Sequence, residues 1–405
     1  MGRPAKVPIV TYHSVADRHE HIFSHLSLAV DAFERQLRYL ARKGFQTVTL
    51  HDVQAYLHDG RRLPERAVAL TLDDGYLDNW VHAFPLLKKY GMKATIFVAT
   101  DFIDPFPGCR PTLEDVWSGR LERRALTWWG YLSWAELKAL QASGLVDIQS
   151  HTRTHTWYFV SDRIVDFHHP GDEYVWLDWN LNRAQKHSWL TRDFRAAVPW
   201  GTPVYDHAQT LLGRRYFDDP ELAHRTVAYV AAHGGQRFFT RPGWRAELRQ
   251  VAAEDRVRSG APGRYESDED HAARLRDELV GSKRLLENGL NKPVDFLCWP
   301  CGDYTPALQR FAVETCGYLA TVNVQKVANR PGDDATELRR IVFGQDYAGP
   351  LQSHLIFMHF CGTVRYHSGA SRAYPVAPIA RRLMKVGRLF GRAPFSRPHQ
   401  ATSAL

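Results

Sequence analysis

The sequence places two aspartates side by side, Asp73 and Asp74, at the end of the short apolar segment 67–72. An apolar run of this length is typical of a strand that is covered on both faces. Successive strand residues point to opposite sides, so the two carboxylates cannot share one task. The pattern predicts that one aspartate reaches a metal ion while the other reaches a substrate.

Two histidines, His151 and His155, stand four residues apart in the motif SHTRTH, directly after a second strand-like segment. Within one helical turn both imidazoles can point the same way, and neutral imidazole is a common ligand of zinc-like metals. Thr152 stands where a metalloprotease of the H-E-x-x-H type needs its glutamate, which disfavours protease chemistry. Two histidines and one aspartate would make a three-ligand metal site with open positions for water and a substrate oxygen.

The elements that must position these residues alternate between strands and helices. PIVTYH, FQTVTL, AVALTL, KATIFVAT and VDIQSH are typical of strands, and DAFERQLRYLARKG, NWVHAFPLLKKYG and SWAELKALQASG are typical of helices. This order predicts a parallel sheet or barrel, in which functional residues gather where strands end and loops begin. Because the aspartate pair and the histidine pair both follow apolar strands, such an architecture brings them to the same end.

The alternation breaks in the middle of the chain and resumes later. Residues 158–265, rich in aromatic and charged residues, are predicted to form an inserted, mainly helical subdomain near the mouth of the active site. Residues 7–157 and 266–345 are predicted to form the two parts of one core. A C-terminal appendage, 346–405, carries a basic amphipathic segment, 379–392, and ends in a tail expected to be disordered. That segment could pack on the core, which we favour, or contact a membrane surface.

The composition excludes several classes of protein. No window approaches the roughly 18 uninterrupted apolar residues that a membrane-spanning helix needs. The N-terminus lacks the apolar region and cleavage site of a secretory signal, and five cysteines are spread over a long chain, so a cytoplasmic location is expected. The net charge of +8 would suit an acidic partner. Zinc-finger spacings and RNA-binding aromatic signatures are absent from the sequence, so nucleic acid is not expected as a partner.

Longer stretches around these residues resemble the polysaccharide deacetylases with the NodB-homology domain, carbohydrate esterase family 4. The resemblance rests on TLDDG followed by YLDNWVHAFPLLKKYGMKATIFVAT, on LSWAELKALQASGLVDIQSHTRTH and on SKRLLENGLNKPVDFLCWPCGDY. It implies a distorted (β/α) barrel of the NodB-homology type. It also implies a hydrolase that removes N-acetyl groups from a glycan or glycan precursor with a divalent metal, zinc by default and cobalt, nickel or manganese as alternatives.

The resemblance also implies roles for individual residues. Asp74, His151 and His155 would bind the metal, and Asp73 would be the general base. A carboxylate beside a metal-activated water suits this chemistry. A backbone N–H in WPCGDY, that of Cys301, would stabilise the oxyanion.

The proton donor for the leaving amine has two candidates, His13 in PIVTYHSV and His359 in HLIFMHF. Many family members carry this histidine near the C-terminus. However, PIVTYHSV followed by FERQLRYLARKGFQTVTL resembles the circularly permuted branch that includes the poly-N-acetylglucosamine deacetylases, in which the N-terminal strand supplies it. The resemblance therefore favours His13, with a histidine satisfied by core hydrogen bonds as the structural alternative.

The sequence departs from the family pattern at two points. Cys301 stands where the family often has an aromatic residue, and the arginine that orients the catalytic aspartate is not before WPCG. Arg340 in LRRIVF is a candidate substitute, although a surface ion pair is the preferred interpretation. CWPC also matches a thioredoxin-like pattern, for which two reduced packing cysteines are preferred.

Other functions stay open at this point. The same residues would serve an O-acetyl esterase or a hydrolase of small non-peptide amides. A catalytically silent glycan-binding protein is disfavoured because all the metal and base positions are filled. Aromatic residues of the insertion could stack on sugar rings or hold the subdomain together. The tryptophans concerned are Trp157, Trp176, Trp179, Trp189, Trp200 and Trp244.

Overall fold

The computed structural model describes residues 6–16, 26–192, 197–259, 263–342 and 350–368. The strands are β1 Ile9–Tyr12, β2 Ser14–Val15, β3 Ser27–Leu28, β4 Gln46–Thr47, β5 Ala67–Leu72, β6 Ala94–Val98, β7 Val146–Ser150, β8 Trp157–Phe167, β9 Pro203–Gln209, β10 Tyr216–Phe217, β11 Arg264–Tyr265, β12 Phe296–Cys298, β13 Ala320–Asn323, β14 Glu337–Arg339 and β15 Ile341–Val342. The helices are α1 Val30–Arg42, α2 Leu50–Asp59, α3 Phe84–Tyr90, α4 Leu113–Trp117, α5 Trp134–Ala142, α6 Val175–Leu181, α7 Pro220–Ala232, α8 Trp244–Ser259, α9 Asp268–Arg276, α10 Ser282–Leu290, α11 Pro306–Arg310 and α12 Pro350–His367.

Parallel strands form a nearly closed barrel in the order β14, β13, β12, β7, β6, β5, β1, β15, and β4 pairs with the start of β5. Arg340 alone separates β14 from β15. Because β14 pairs with β13 and β15 pairs with β1, this last segment joins the two ends of the sheet. The predicted (β/α) barrel is confirmed, and LRRIVF contributes to two short strands on either side of Arg340.

The barrel strands are buried on both faces, as their apolar sequences predict. Along β5, Ala69 packs in a cluster with Phe97 and Phe296 inside the barrel, and Leu70 belongs to the larger cluster beneath the surrounding helices. Since alternate strand residues point in opposite directions, Thr71 and Asp73 continue the inward row that includes Ala69. The first aspartate of the pair therefore points into the barrel.

A helix replaces most of one predicted strand. FQTVTL forms a strand only at Gln46–Thr47, because Thr49 caps α2. The Thr49 side chain accepts a hydrogen bond from the Asp52 N–H, and the Asp52 carboxylate accepts one from the Thr49 N–H. This reciprocal capping box starts the helix directly after the short strand. Val53 and Tyr56 of α2 then join the cluster inside the barrel.

The insertion after β7 contains α6, α7 and α8, as a mainly helical segment should. It also contains two antiparallel strand pairs, β8 with β9 and β10 with β11, which the sequence pattern did not indicate. The register of β8 shifts between Phe159 and Ile164. The polar residues 161–163 fall at this irregularity, so the sequence of β8 lacks the regular alternation that marks a strand.

The C-terminal part of the described chain packs on the outside of the barrel. On α1, Arg35 donates a hydrogen bond to the Ser353 hydroxyl of α12, and Tyr39 contacts Phe360 edge to face. Within the described residues, no helix is both long enough and apolar enough to cross a membrane. The amphipathic segment 379–392 lies outside the described residues. The expected cytoplasmic location and membrane contact stay predictions.

Candidate active site

Asp73 is held inside the barrel by Arg340. The two guanidinium nitrogens of Arg340 donate to the two carboxylate oxygens of Asp73 over 2.6 and 2.8 Å, and Arg340 is 1% exposed. The same guanidinium donates to Thr71 Oγ1 and contacts Cys298 Sγ at 2.9 Å. Arg340 is therefore a buried ion-pair partner of Asp73, and the preferred interpretation as a surface ion pair is wrong.

Arg340 also determines the ionisation of Asp73. Burial alone would raise the pKa of this carboxyl group, but the charge of Arg340 and its hydrogen bonds hold the pKa below its ordinary value. Asp73 is consequently an ionised, proton-free carboxylate at neutral pH. That is the state in which it can accept a proton.

Asp74 faces the two histidines of SHTRTH. Its Oδ1 lies 3.3 Å from His151 Nε2 and 3.4 Å from His155 Nε2. The three side chains form a candidate metal-binding group with ligand atoms within 4.8 Å of one another. Two imidazole nitrogens and one carboxylate oxygen are a donor set that zinc and related divalent metals accept.

Hydrogen bonding and burial prepare both imidazoles for this task. His151 Nδ1–H donates to the carbonyl of Cys298 over 2.9 Å, which points Nε2 at Asp74. Burial lowers the pKa of His155 to about 4, so its ring is neutral at neutral pH. Burial would raise the pKa of Asp74, but its hydrogen bond with His151 and the electrostatic attraction of the neighbouring imidazoles hold the pKa below the ordinary value. The donor set therefore fits a divalent cation.

A second cluster of potential ligands is less suitable for a metal. Asp73, His151 and Cys298 also place ligand atoms within 4.8 Å of one another. Arg340 already neutralises this carboxylate, and a second cation there would be repelled by the guanidinium. Burial raises the pKa of the Cys298 thiol, so it stays protonated. We therefore assign the candidate metal site to the group around Asp74.

A buried glutamate shapes the loop that carries the two histidines. Glu278, 1% exposed, accepts hydrogen bonds from the N–H groups of Arg153 and Thr154 over 3.1 and 2.9 Å. The hydroxyl of Thr154 also donates to it. Thr152 and His155 have φ angles of 67° and 43°, a left-handed conformation that is costly for residues with a side chain. The loop is thus strained and is held by contacts from a distant helix.

His13 stands beside the first aspartate. Its Nε2 lies 3.8 Å from Asp73 Oδ2, and its side chain is 18% exposed. The amide of Asn79 donates to the carbonyl of His13 over 2.9 Å. Asp78, which follows the aspartate pair, accepts from the hydroxyl of Ser14 and, over 3.0 Å, from the N–H of residue 15. The motif after the aspartate pair therefore fixes the backbone that carries His13.

The alternative proton donor lies elsewhere. His359 belongs to α12, the helix that packs on α1 outside the barrel. Its Nδ1 is 2.8 Å from the hydroxyl of Thr363, one turn further along the same helix. The structure therefore brings together His13, Asp73 and Asp74 and leaves His359 on an outer helix.

Cys301 follows β12 in the one-turn helix Pro300–Gly302. It is exposed and has a left-handed φ of 58°, like Asp74, which has a φ of 73°. The N–H of Gly302 bonds to the carbonyl of Trp299, but among the described residues no acceptor is found for the N–H of Cys301. This N–H is available to a ligand, as the sequence-based assignment requires.

The sequence interpretation missed Glu278, Asp78 and the interaction of Lys186 with the histidine loop. Lys186, 1% exposed and part of the insertion, donates to the carbonyl of Thr154. Its ammonium lies 5.0 Å from the ring centre of Phe102. Charged residues this deeply buried are rare, but the sequence around them gives no signal of burial. Only their partners, distant in the sequence, identify them.

A parallel barrel whose strand ends carry carboxylate, imidazole and guanidinium groups is the arrangement of a (β/α)-barrel enzyme. Residues 60–189 match a family model described as polysaccharide deacetylase. The resemblance to this family that the motifs indicated is therefore confirmed over residues 60–189.

Similar proteins agree with this assignment. "Putative polysaccharide deacetylase YxkH" of Bacillus subtilis is 41% identical over 96 residues, which cover 24% of this chain and 33% of that protein. The poly-beta-1,6-N-acetyl-D-glucosamine N-deacetylase of Escherichia coli is 28% identical over 145 residues, 35% of this chain and 20% of that protein. The chain thus spans at most a third of the length of these relatives.

A solved structure of a de-N-acetylase from Aggregatibacter actinomycetemcomitans has the same fold. It matches with a TM-score of 0.52 over 87% of this chain and 99% of that chain, at 16% sequence identity. At this identity the match supports the barrel architecture alone.

Proposed function

We propose that this protein is a metal-dependent deacetylase that removes N-acetyl groups from a glycan or a glycan precursor. One observation carries the proposal. Asp74 faces His151 and His155 at metal-ligand spacing, while both carboxylate oxygens of the neighbouring Asp73 accept hydrogen bonds from Arg340. Two adjacent aspartates with separate partners give one metal ligand and one base. The glycan substrate is suggested by the relative that is named as an N-acetyl-D-glucosamine polymer deacetylase.

Asp74, His151 and His155 would hold the divalent metal. When bound, such a cation supplies Lewis acidity toward the acyl oxygen and acidifies the attacking water. The hydrogen bond from His151 to the carbonyl of Cys298 keeps one imidazole in the tautomer that can bind metal. The identity of the metal is not determined by this donor set, since zinc, cobalt, nickel and manganese all accept it.

The remaining groups of the chain would move protons and stabilise charge. Asp73 accepts a proton from the attacking water, and Arg340 keeps it ionised for that purpose. The N–H of Cys301 donates to the developing oxyanion. His13, in its protonated form, gives a proton to the leaving amine as the C–N bond breaks. Acetate and a free amino sugar are the products.

The experiment that tests this function measures metal content and acetate release on the same samples. The purified protein, loaded with zinc, is compared with the His151→Ala/His155→Ala variant, using N-acetylglucosamine oligomers as substrate. His58→Ala/His224→Ala is the matched control, because it removes two exposed histidines that pair with carboxylates close to them in the chain, Asp59 and Glu221. We expect one metal per chain and acetate release in the wild type and the control, and neither in the site variant.

Two results would contradict the proposal. Equal metal content in the site variant and the control would show that the two histidines do not hold the metal. Metal binding without acetate release from any N-acetylated glycan would indicate that the substrate is an ester or a small amide instead.

A further inference from the structure

The tryptophans in and next to the insertion differ in how much of their surface is free. Four of them are at most 8% exposed and are packed inside the subdomain, namely Trp176, Trp179, Trp189 and Trp244. Trp157 and Trp200 are half-buried. Trp200 stacks on the imidazole of His168, with ring centres 4.5 Å apart and planes 17° apart, so one of its faces is covered. Trp157 is the tryptophan of this set whose surface is free near the site.

Trp157 borders the candidate metal group. Its ring centre lies 6.0 Å from that of His155, and the two rings meet edge to face at 73°. The Nε2 of the same His155 faces Asp74 at 3.4 Å. Among the described residues, no hydrogen-bond acceptor is found for the indole N–H of Trp157. An aromatic surface and a free donor therefore lie next to the place where the acetamide would react.

The backbone at this position is fixed from both sides. Trp157 begins β8 and pairs with Gln209 of β9, and the carbonyl of Thr156 accepts from the N–H of residue 210 over 2.9 Å. The amide of Asn180, on α6, donates to the carbonyl of Trp157 over 2.8 Å and accepts from the hydroxyl of Thr156 over 2.9 Å. Trp179 supports the indole with ring centres 6.3 Å apart. An aromatic side chain mounted in this way loses little entropy when a ligand stacks on it.

We infer that Trp157 is a sugar-binding residue, whose indole packs against a pyranose ring of the substrate and so places the N-acetyl group at Asp74. This inference rests on the proposed function and narrows it. The substrate must present a sugar ring beside the reacting acetamide, so a small ester or amide gains nothing from Trp157. The insertion, which supplies the partners of Trp157, thereby contributes to substrate choice.

The test compares two substrates on three variants, Trp157→Ala, Trp157→Phe and Trp200→Ala, each checked for metal content and folded structure. The substrates are N-acetylglucosamine oligomers and 4-nitrophenyl acetate, an ester without a sugar ring. For Trp157→Ala we expect kcat/KM on the oligomers to fall about tenfold or more, the size of one lost aromatic contact, with the rate on the ester unchanged. Trp157→Phe should recover part of the loss, and Trp200→Ala should behave as wild type.

A binding measurement keeps this inference separate from the proposed function. Binding of the oligomers is measured by calorimetry in the Asp73→Asn background, with and without Trp157→Ala, and needs no turnover. If the wild type binds oligomers but releases no acetate, the proposed function fails while weaker binding of Trp157→Ala still supports the sugar contact. Equal binding with and without the indole would overturn the inference, as would equal losses on both substrates or an equal loss in Trp200→Ala.

Discussion

Arg340 binds both carboxylate oxygens of Asp73, at 2.6 and 2.8 Å, from the point where the barrel closes. Arg340 separates β14, which pairs with β13, from β15, which pairs with β1. The side chain that orients the candidate base therefore belongs to the segment that joins the two ends of the sheet. The ionisation of Asp73 therefore depends on a residue that lies where the barrel closes.

Arg340→Met removes the charge while keeping much of the side-chain volume. The buried Asp73 would lose its counter-charge, so its pKa would rise above the ordinary value. In the wild type the lowered pKa of Asp73 stabilises the fold above about pH 4, and this stabilisation is lost as the pH falls through the native pKa. We expect the unfolding free energy of the variant at pH 7 to be about 3–5 kcal/mol lower than that of the wild type, as measured by urea unfolding.

The same variant should show a change in its activity profile. If Asp73 is the base, the acid limb of kcat/KM against pH moves to higher pH in Arg340→Met. Arg339→Met is the matched control, because the ion pair of Arg339 with Asp333 at 3.2 Å is partly exposed and should contribute about 1 kcal/mol or less. An unchanged acid limb in an active Arg340→Met would show that Asp73 does not titrate in the reaction.

The order of strands and helices was sufficient to predict a parallel sheet or barrel with the aspartate pair and the histidine pair at one end. The choice of Asp74 as the partner of the two histidines came from the family resemblance. The sequence was not sufficient for Arg340. A single arginine in LRRIVF carries no local sign that the strand breaks there or that its partner is Asp73, far earlier in the chain. The interaction exists only because the last segment closes the ring, which is a property of the whole sheet.

Glu278→Ala should weaken metal binding without touching a metal ligand. The Glu278 carboxylate accepts three hydrogen bonds from Arg153 and Thr154, between the two histidines, and the strained loop depends on them. Loss of a partner that orients ligands typically costs about 10–100-fold in metal affinity. The affinity is measured by competition with a chelator. Glu269→Ala, at an exposed position of α9, is the control and should bind metal as wild type does.

Asp78→Asn should change how stability depends on pH. Burial raises the pKa of Asp78 from 3.8 to about 7, despite hydrogen bonds from Ser14, residue 15 and Asn79. The native protein thus holds this proton to higher pH than the unfolded chain, so the unfolding free energy falls as the pH rises from about 4 to about 7. Asp78→Asn should lack this decrease in unfolding free energy, which is on the order of 2–4 kcal/mol in the wild type.

The measurement for Asp78 is urea unfolding at several pH values between 4 and 8. Asp59→Asn is the control, since Asp59 is largely exposed and should leave the pH dependence as in wild type. A steep decline that persists in Asp78→Asn would assign the effect to another group. Asp78→Ala, which leaves the hydroxyl of Ser14 and the amide of Asn79 without their acceptor, should also lower activity by displacing His13.

The polar residues that support the site share one reason for escaping the sequence interpretation. Glu278, Asp78 and Lys186 are charged residues on segments whose patterns fit ordinary exposed positions. Each is buried because its partners lie on another element, and no local spacing indicates those partners. For the tryptophans, the sequence pattern gave the same two interpretations for every one of them. Only the structure distinguishes the buried tryptophans from the partly exposed Trp157.

Lys186 links the insertion to the histidine loop, and its removal gives the last prediction. Burial lowers the pKa of Lys186 from 10.5 to about 8, so between these values the native lysine is neutral while the unfolded one is charged. The unfolding free energy of the wild type therefore rises with pH from about 8 to 10.5. In Lys186→Met this rise disappears, and the carbonyl of Thr154 loses its donor at a cost of about 1–3 kcal/mol at pH 7.

Urea unfolding between pH 7 and 10.5 measures both effects. Lys138→Met, at an exposed position of α5, should keep the wild-type dependence. If the unfolding free energy of Lys186→Met still rises over this pH range, Lys186 is not the group that titrates.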